Sequence, residues 1–195
     1  MTGDMSKLIR TFVAVKLPEP VLKAIGEVQG QLAAYGLNVR WVKTGTIHLT
    51  LKFLGEVLED ELDGIAAVLF EAVHGFAPLQ LAAAGVGVFP NIKRARVIWV
   101  GLAGQLPEFA ALQRSIEDRL ATIGYPQEKR AFSGHLTLGR VKGLIAASRL
   151  TTAMGAFRDF TSESFQVDRV VLFKSDLRPA GALYTELRQV ALSGH

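Results

Sequence analysis

The 195 residues are 49% apolar and 21% charged, a balance that suits a packed globular protein and excludes disorder. Cysteine is absent, which removes disulfides, thiolate nucleophiles, cysteine zinc sites and iron–sulfur clusters. The net charge of +4 is spread evenly, with ten basic and nine acidic residues through Val97 and twelve and nine after it, so no basic block marks a dedicated nucleic-acid binder. No apolar run approaches the roughly 18–20 residues of a membrane span. Met1 to Arg10 has no stretch of signal-peptide length, and a cytoplasmic protein is expected.

In chain order, Thr11 to Leu17 is apolar and β-branched, hence a strand. Pro18-Glu-Pro20 then opens a helix through Val21, Leu22, Ile25, Val28 and Leu32 that ends at Gly36. Residues 39–54 are expected to be extended, and a second helix fits Glu59 to His74, with Gly75 as its stop. Strands follow over Leu79 to Phe89 and Arg96 to Leu102, then a helix from Leu106 to Ile123 capped by Gly124. A strand over His135 to Val141, a helix over Leu144 to Phe157, and two last strands, Phe165 to Phe173 and Ala182 to Leu192, complete the series. The last two are joined by an Asp176–Gly181 turn. Mixed strands and helices with short connections make the chain α+β or α/β, and no linker divides residues 1–195.

One repeat stands out. His48-Leu-Thr-Leu51 recurs 87 positions later as His135-Leu-Thr-Leu138, in a chain with only four histidines. In the first copy Thr46, His48, Thr50 and Lys52 alternate with Ile47, Leu49, Leu51 and Phe53; in the second, Ser133, His135 and Thr137 alternate with Leu136 and Leu138. A strand of period two then buries the leucines and presents histidine and threonine together on the other face, roughly 6.5–7 Å apart at the backbone. If the halves are related lobes, two imidazoles and two hydroxyls face one cleft. One neutral histidine can take a proton from water while a protonated one donates to a leaving oxygen, with threonine hydroxyls on the non-bridging oxygens of a phosphate. A lone strand histidine is more often structural; it is the matched pair that argues for chemistry. The copies lack a third histidine or a carboxylate at ligand spacing, so no metal or other cofactor is expected. His74 sits at a helix end and His195 is the final residue; both read as structural.

At these residues the chain resembles the 2H phosphoesterase superfamily, and within it the RNA 2′,3′-cyclic phosphodiesterases, formerly called 2′-5′ RNA ligases. The resemblance spans most of the chain. It is carried by Phe12 to Pro18, by HLTLKFLG (His48 to Gly55), FPNIKRARVIWVGL (Phe89 to Leu102) and FSGHLTLGR (Phe132 to Arg140), and by LFKSDLRPAGALYTEL (Leu172 to Leu187). It implies an α+β, bilobal fold whose two lobes, each an antiparallel sheet with flanking helices, are related by a pseudo-twofold about a groove. It also implies opening of an RNA 2′,3′-cyclic phosphate to a 2′-phosphate without metal, with 2′-5′ joining as a side activity; a monomer is expected. By carry-over His48 is the proton donor and His135 the proton acceptor, while Thr50 and Thr137 hold the phosphate.

Arg140 follows the second motif in the family manner as a phosphate clamp. Strict alternation sends it to the core face unless the strand bulges at Gly139. Lys52 shares the His48 face by alternation and is a candidate for an RNA phosphate. Phe12 and Tyr184 are candidates for stacking on a base, with core packing as the competing role. Two departures carry expectations of their own. Gly134 replaces the family's usual proline and loosens the backbone before His135, and Thr46-Ile47 replaces an aromatic-bearing pair, so an aromatic wall near His48 is expected to be missing.

Other motifs are weaker. Gly85-Val-Gly87 lacks the third glycine of a dinucleotide fingerprint, Gly101-Leu-Ala-Gly104 matches a KH-type loop but lies at an ordinary strand-to-helix turn, and no nucleophile elbow or Walker motif occurs. The rival readings are an RNA-end or nucleotide binding protein without turnover, hinted at by Gly134, and a phosphodiesterase of small cyclic nucleotides.

Overall fold

Alternating and helical patterns resolve, in the computed structural model, into nine strands and four helices among residues 7–179 and 181–194. Met1 to Ser6, His195 and Ala180, which belongs to the expected Asp176–Gly181 turn, lie outside the described residues. The elements are β1 (Leu8–Lys16), α1 (Glu19–Ala33), β2 (Val39–Trp41), β3 (His48–Leu58), α2 (Leu62–Val73), β4 (Leu79–Phe89) and β5 (Val97–Gly104), followed by α3 (Leu106–Ala121), β6 (Leu136–Val141), α4 (Ala147–Gly155), β7 (Phe165–Val167), β8 (Arg169–Arg178) and β9 (Gly181–Ala191).

Each helix turns one apolar face inward. Val21, Ile25, Val28 and Leu32 of α1 are buried at the expected spacing, as are Ile65, Leu69 and Val73 of α2 and Phe109, Leu112, Ile116 and Leu120 of α3. These faces join Leu49, Leu51, Leu136 and Leu138 in one continuous core. The leucines of both repeats therefore point where the alternation sends them.

All strand pairings are antiparallel, in the order β7-β4-β5-β6-β3-β1-β8-β9, with β2 added on β6. The order splits into two four-stranded halves, β7-β4-β5-β6 and β3-β1-β8-β9, which meet where β3 pairs β6 through a single residue pair, Leu49 with Leu136. The α+β, two-lobed architecture expected from the sequence is the one observed. The expected strand Phe165–Phe173 is broken at Asp168, where the chain leaves the edge of one half (β7) and enters the other (β8). Six strand spacings, roughly 29 Å in a flat sheet, separate β7 from β8 along the sheet. A single linking residue cannot span that, so the sheet is strongly curled.

The expected extended run 39–54 is interrupted by a short turn at Thr44–Thr46, which detaches β2 from β3. Gln29 of α1 bridges the break, donating to the carbonyls of Val42 (2.8 Å) and Leu138 (2.9 Å). A second, smaller cluster of Phe12, Ala14, Val171 and Phe173, with Tyr184 packed against it, lies on the other face of β1 and β8. Val13 and Val15, alternating with Phe12 and Ala14, belong to the main core. β1 is thus buried on both faces, and its second face underlies the site.

Candidate active site

The Leu49–Leu136 pair fixes the centre of the site. In antiparallel register, the residues flanking it set His48 beside Thr137 and Thr50 beside His135, all four on the face opposite the leucine core. His48 opens β3, whereas His135 ends the irregular segment before β6.

The two imidazoles are held alike. His48 Nδ1 lies 2.9 Å from the carbonyl oxygen of Thr46, and His135 Nδ1 lies 2.7 Å from that of Ser133. A carbonyl only accepts, so each Nδ1 carries the proton and each Nε2 is left as the working nitrogen. Their walls differ. His48 sits against Phe12 (ring centroids 4.7 Å apart) and edge-on to Tyr184 (4.9 Å), with Phe173 at 6.4 Å. His135 meets the edge of Phe89 at 5.0 Å, and Phe89 in turn packs on Trp99. Burial pushes the His48 pKa below 6.5, partly opposed by the Thr46 hydrogen bond. Burial likewise raises the Tyr184 hydroxyl pKa, while the charges of Arg140 and Arg10 pull it down.

Both repeats carry the same irregularity. Opposite β1, Ala14 faces Thr50 and Val13 faces Lys52, so Leu51 is an extra residue in β3. Opposite β5, Trp99 faces Thr137 and Ile98 faces Gly139, so Leu138 is the extra residue in β6. Each motif therefore ends in a bulge at its last leucine, and the following residues change faces. Arg140 is turned to the groove, as the bulge alternative required.

The same bulge corrects the expectation for Lys52. It is turned to the core, 4% exposed, and pairs with Glu117 of α3 while donating to the Pro126 carbonyl at 2.8 Å. Phe53 takes its place on the groove face, 67% exposed. Phe12 is corrected as well. At 2% exposure, stacked on Phe173, it has no face to offer a base and instead backs His48. Tyr184 is half-buried and walls the same histidine.

The groove has a volume of about 500 Å³, and its lining includes His48, Thr50, Thr137, Arg140, Phe12 and Tyr184 but not His135, which the register sets across from Thr50. Several lining residues escaped the sequence reading. Trp41 and Phe53 add aromatic surface to the groove, while the wall expected to be missing near His48 is supplied by Phe12 from β1 and Tyr184 from β9. Arg10, Arg40, Lys43 and Arg178 join Arg140, and among the described residues no carboxylate lines the groove. None of these five cations belongs to the ion pairs that Lys16, Lys52, Arg169, Lys174 and Arg188 form. Because they are scattered from residue 10 to residue 178 among nearly as many acids, only the fold gathers them.

Two glycines allow close approaches. A Cβ at Gly139 would collide with Val39 Cγ1 and lie 3.0 Å from Trp41, so glycine is what lets β2 lie on β6. At Gly134 a Cβ would come within 2.7 Å of Leu102 Cδ1. Gly134 itself thus packs closely on Leu102. No group of three His, Asp or Glu side chains placed to hold a metal ion occurs among the described residues.

A curled sheet in two halves, with a histidine–threonine pair from each at the seam, defines a two-lobed phosphoesterase architecture. The chain belongs to the family described as LigT like Phosphoesterase, whose model matches twice, over residues 15–99 and 100–184. Each match holds one histidine–threonine motif, but their boundary falls inside β5, so β4 and the start of β5 belong to the first match and to the half of the sheet completed by β6 and β7. A Methanothermobacter thermautotrophicus relative named RNA 2′,3′-cyclic phosphodiesterase is 36% identical over 180 residues, 92% of this chain and 96% of its own. A relative of the same name from Thermotoga maritima is 32% identical over 95% of this chain and 97% of its own. Among solved structures, TT0787 of Thermus thermophilus superposes with a TM-score of 0.79 at 28% identity, covering 95% of this chain and 99% of that one. Escherichia coli LigT complexed with 3′-AMP shares the fold, with a TM-score of 0.74 at 22% identity over 96% of this chain and 99% of that one.

Proposed function

We propose that this phosphoesterase opens the 2′,3′-cyclic phosphate at the end of an RNA strand, without a metal ion, and leaves a 2′-phosphomonoester. The observation that carries the reading is the matched pair of imidazoles, each fixed through Nδ1 to the carbonyl two residues before it. His135 Nε2 takes a proton from water as the water oxygen attacks phosphorus. The P–O3′ bond breaks, its electron pair stays on O3′, and His48 Nε2 delivers a proton there. Thr50 and Thr137 donate to the non-bridging oxygens, and Arg140 balances the charge that builds on them.

The order of roles, His48 as donor and His135 as acceptor, follows the family resemblance. The names of the relatives support the substrate, and the cation-lined groove supports an anionic strand running beyond the terminal nucleotide. Trp41 and Phe53 are the rings placed to meet its bases. One chain supplies every group, so the scheme operates in a monomer. With the 5′-hydroxyl of a second strand in place of water, the same steps give a 2′-5′ linkage.

The test is hydrolysis of a short RNA ending in a 2′,3′-cyclic phosphate, in EDTA, with the product ends identified. A 2′-phosphate product is expected, and His48→Ala and His135→Ala should each lower kcat by about 10²–10⁴-fold while leaving the fold intact. Binding without product would transfer the reading to an RNA-end binding protein. Faster turnover of cyclic mononucleotides than of RNA would transfer it to small cyclic nucleotides.

A further inference from the structure

The buried pair of Lys52 and Glu117 takes no part in the chemistry above, yet it touches both stretches of chain that carry the histidines: the bulged β3 that begins with His48 and the segment that ends in His135. Lys52 and Glu117 are 4% and 7% exposed. Lys52 Nζ pairs with Glu117 Oε2 and also donates to the Pro126 carbonyl at 2.8 Å. The same Glu117 oxygen accepts the Glu128 backbone N–H at 3.2 Å. Gln113 completes the group, donating at 3.2 Å to Glu117 Oε1 and at 3.3 Å to the carbonyl of Leu51, the bulge residue itself. From Tyr125 to His135 the chain has neither helix nor strand. Its near end is gripped at Pro126 and Glu128 by this pair, and its far end by Phe132 against Phe109 of α3 (5.7 Å).

A buried ion pair is a poor source of stability compared with apolar residues of the same volume, because both charges must be desolvated. What this pair does supply is direction. It accepts one position of residues 126–128 relative to β3, because two charged groups and two backbone partners must all be satisfied together. We infer that Lys52 and Glu117 are positioning residues that fix His135 relative to His48. The inference rests on the proposed roles of the two histidines, but the position of the segment is measurable without turnover.

The test is the double variant Lys52→Met/Glu117→Met, which removes both charges without leaving either buried alone. Two readouts are taken: amide hydrogen exchange, and kinetics on a short RNA ending in a 2′,3′-cyclic phosphate. Faster exchange confined to residues 127–135, with kcat lowered about 10- to 100-fold and KM unchanged, is expected for a displaced general base. Local loss of protection in a protein whose wild type turns over no cyclic phosphate would uphold the positioning and sink the proposed reaction instead. Unchanged exchange and unchanged kcat would overturn the inference, and so would a uniform loss of protection across the sheet, which marks a merely structural pair. If the double variant does not fold, Glu117→Gln keeps the size and one acceptor oxygen. Partial loss of kcat with local exchange at 127–135 supports the inference, and wild-type behaviour in both overturns it.

Discussion

His48 lies under Phe12 and against Tyr184, and that wall gives it a charge state of its own. Burial holds its pKa below 6.5, so at neutral pH the free protein keeps this ring uncharged. The sign of the stability effect follows. With the folded pKa below the unfolded one, the unfolded chain binds the extra proton first, so this group's contribution is complete above 6.5 and is lost as pH falls toward and through the lowered value. His48→Gln should flatten that part of the pH–stability curve, measured by urea unfolding across roughly pH 5 to 7. The donor role proposed for His48 requires its ring to be protonated. The kcat/KM profile for RNA is therefore expected to fall on a basic limb set by the low His48 pKa, and the limb of kcat should lie at higher pH, because a bound phosphate favours the imidazolium. Coincident limbs would show that the phosphate does not face this ring. The two histidines were legible because a rare side chain recurred in a matched context. Their unequal walls were not, because Phe12, Phe173 and Tyr184 come from β1, β8 and β9, far apart in sequence.

The elements show where alternation succeeds and where it stops. Leu49, Leu51, Leu136 and Leu138 all entered the core as their spacing required. Beyond Leu51 the rule failed for Lys52, since an extra residue in a strand leaves no mark when it is itself an apolar leucine that can stay buried. In the second copy Gly139 gave the cue, a glycine inside a strand being a usual sign of a bulge or a close approach. It is both here, with β2 lying over it. Gly139→Ala should therefore lower stability by about 1–3 kcal/mol through overpacking against Val39 and Trp41, read as a lower urea midpoint with an unchanged slope. A loss of RNA binding should accompany it, because Arg40 and Trp41 line the groove from the displaced strand. A neutral substitution would mean that β2 is free to shift.

Across the whole molecule, charge tells a story that composition hides. No basic block along the chain marks a nucleic-acid surface, yet Arg10, Arg40, Lys43, Arg140 and Arg178 converge on one groove with no described carboxylate among them. A single-stranded ligand that neutralises Z phosphates there should bind with a log–log salt slope of about −0.7Z. The expected outcome is that kcat/KM on an oligonucleotide falls more steeply with added salt than kcat/KM on a cyclic mononucleotide. Equal slopes would confine the contacts to the terminal phosphate. The two-lobed plan was implied by the family resemblance that the repeat carries, but the curl of the sheet was not legible, because it depends on a break at Asp168 inside what reads as one continuous strand.

The return of β8 and β9 to the half begun by β1 also sets the order in which the site is built. As the chain leaves the ribosome, both histidine motifs are outside long before residues 173 and 184, and until then His48 has only Phe12 beside it. The edge of β1 that β8 will cover stays open through the same interval. A nascent chain thus carries both histidines of the proposed proton relay while lacking the enclosure of His48. Completion of the last hairpin is the event that closes Phe173 and Tyr184 around His48.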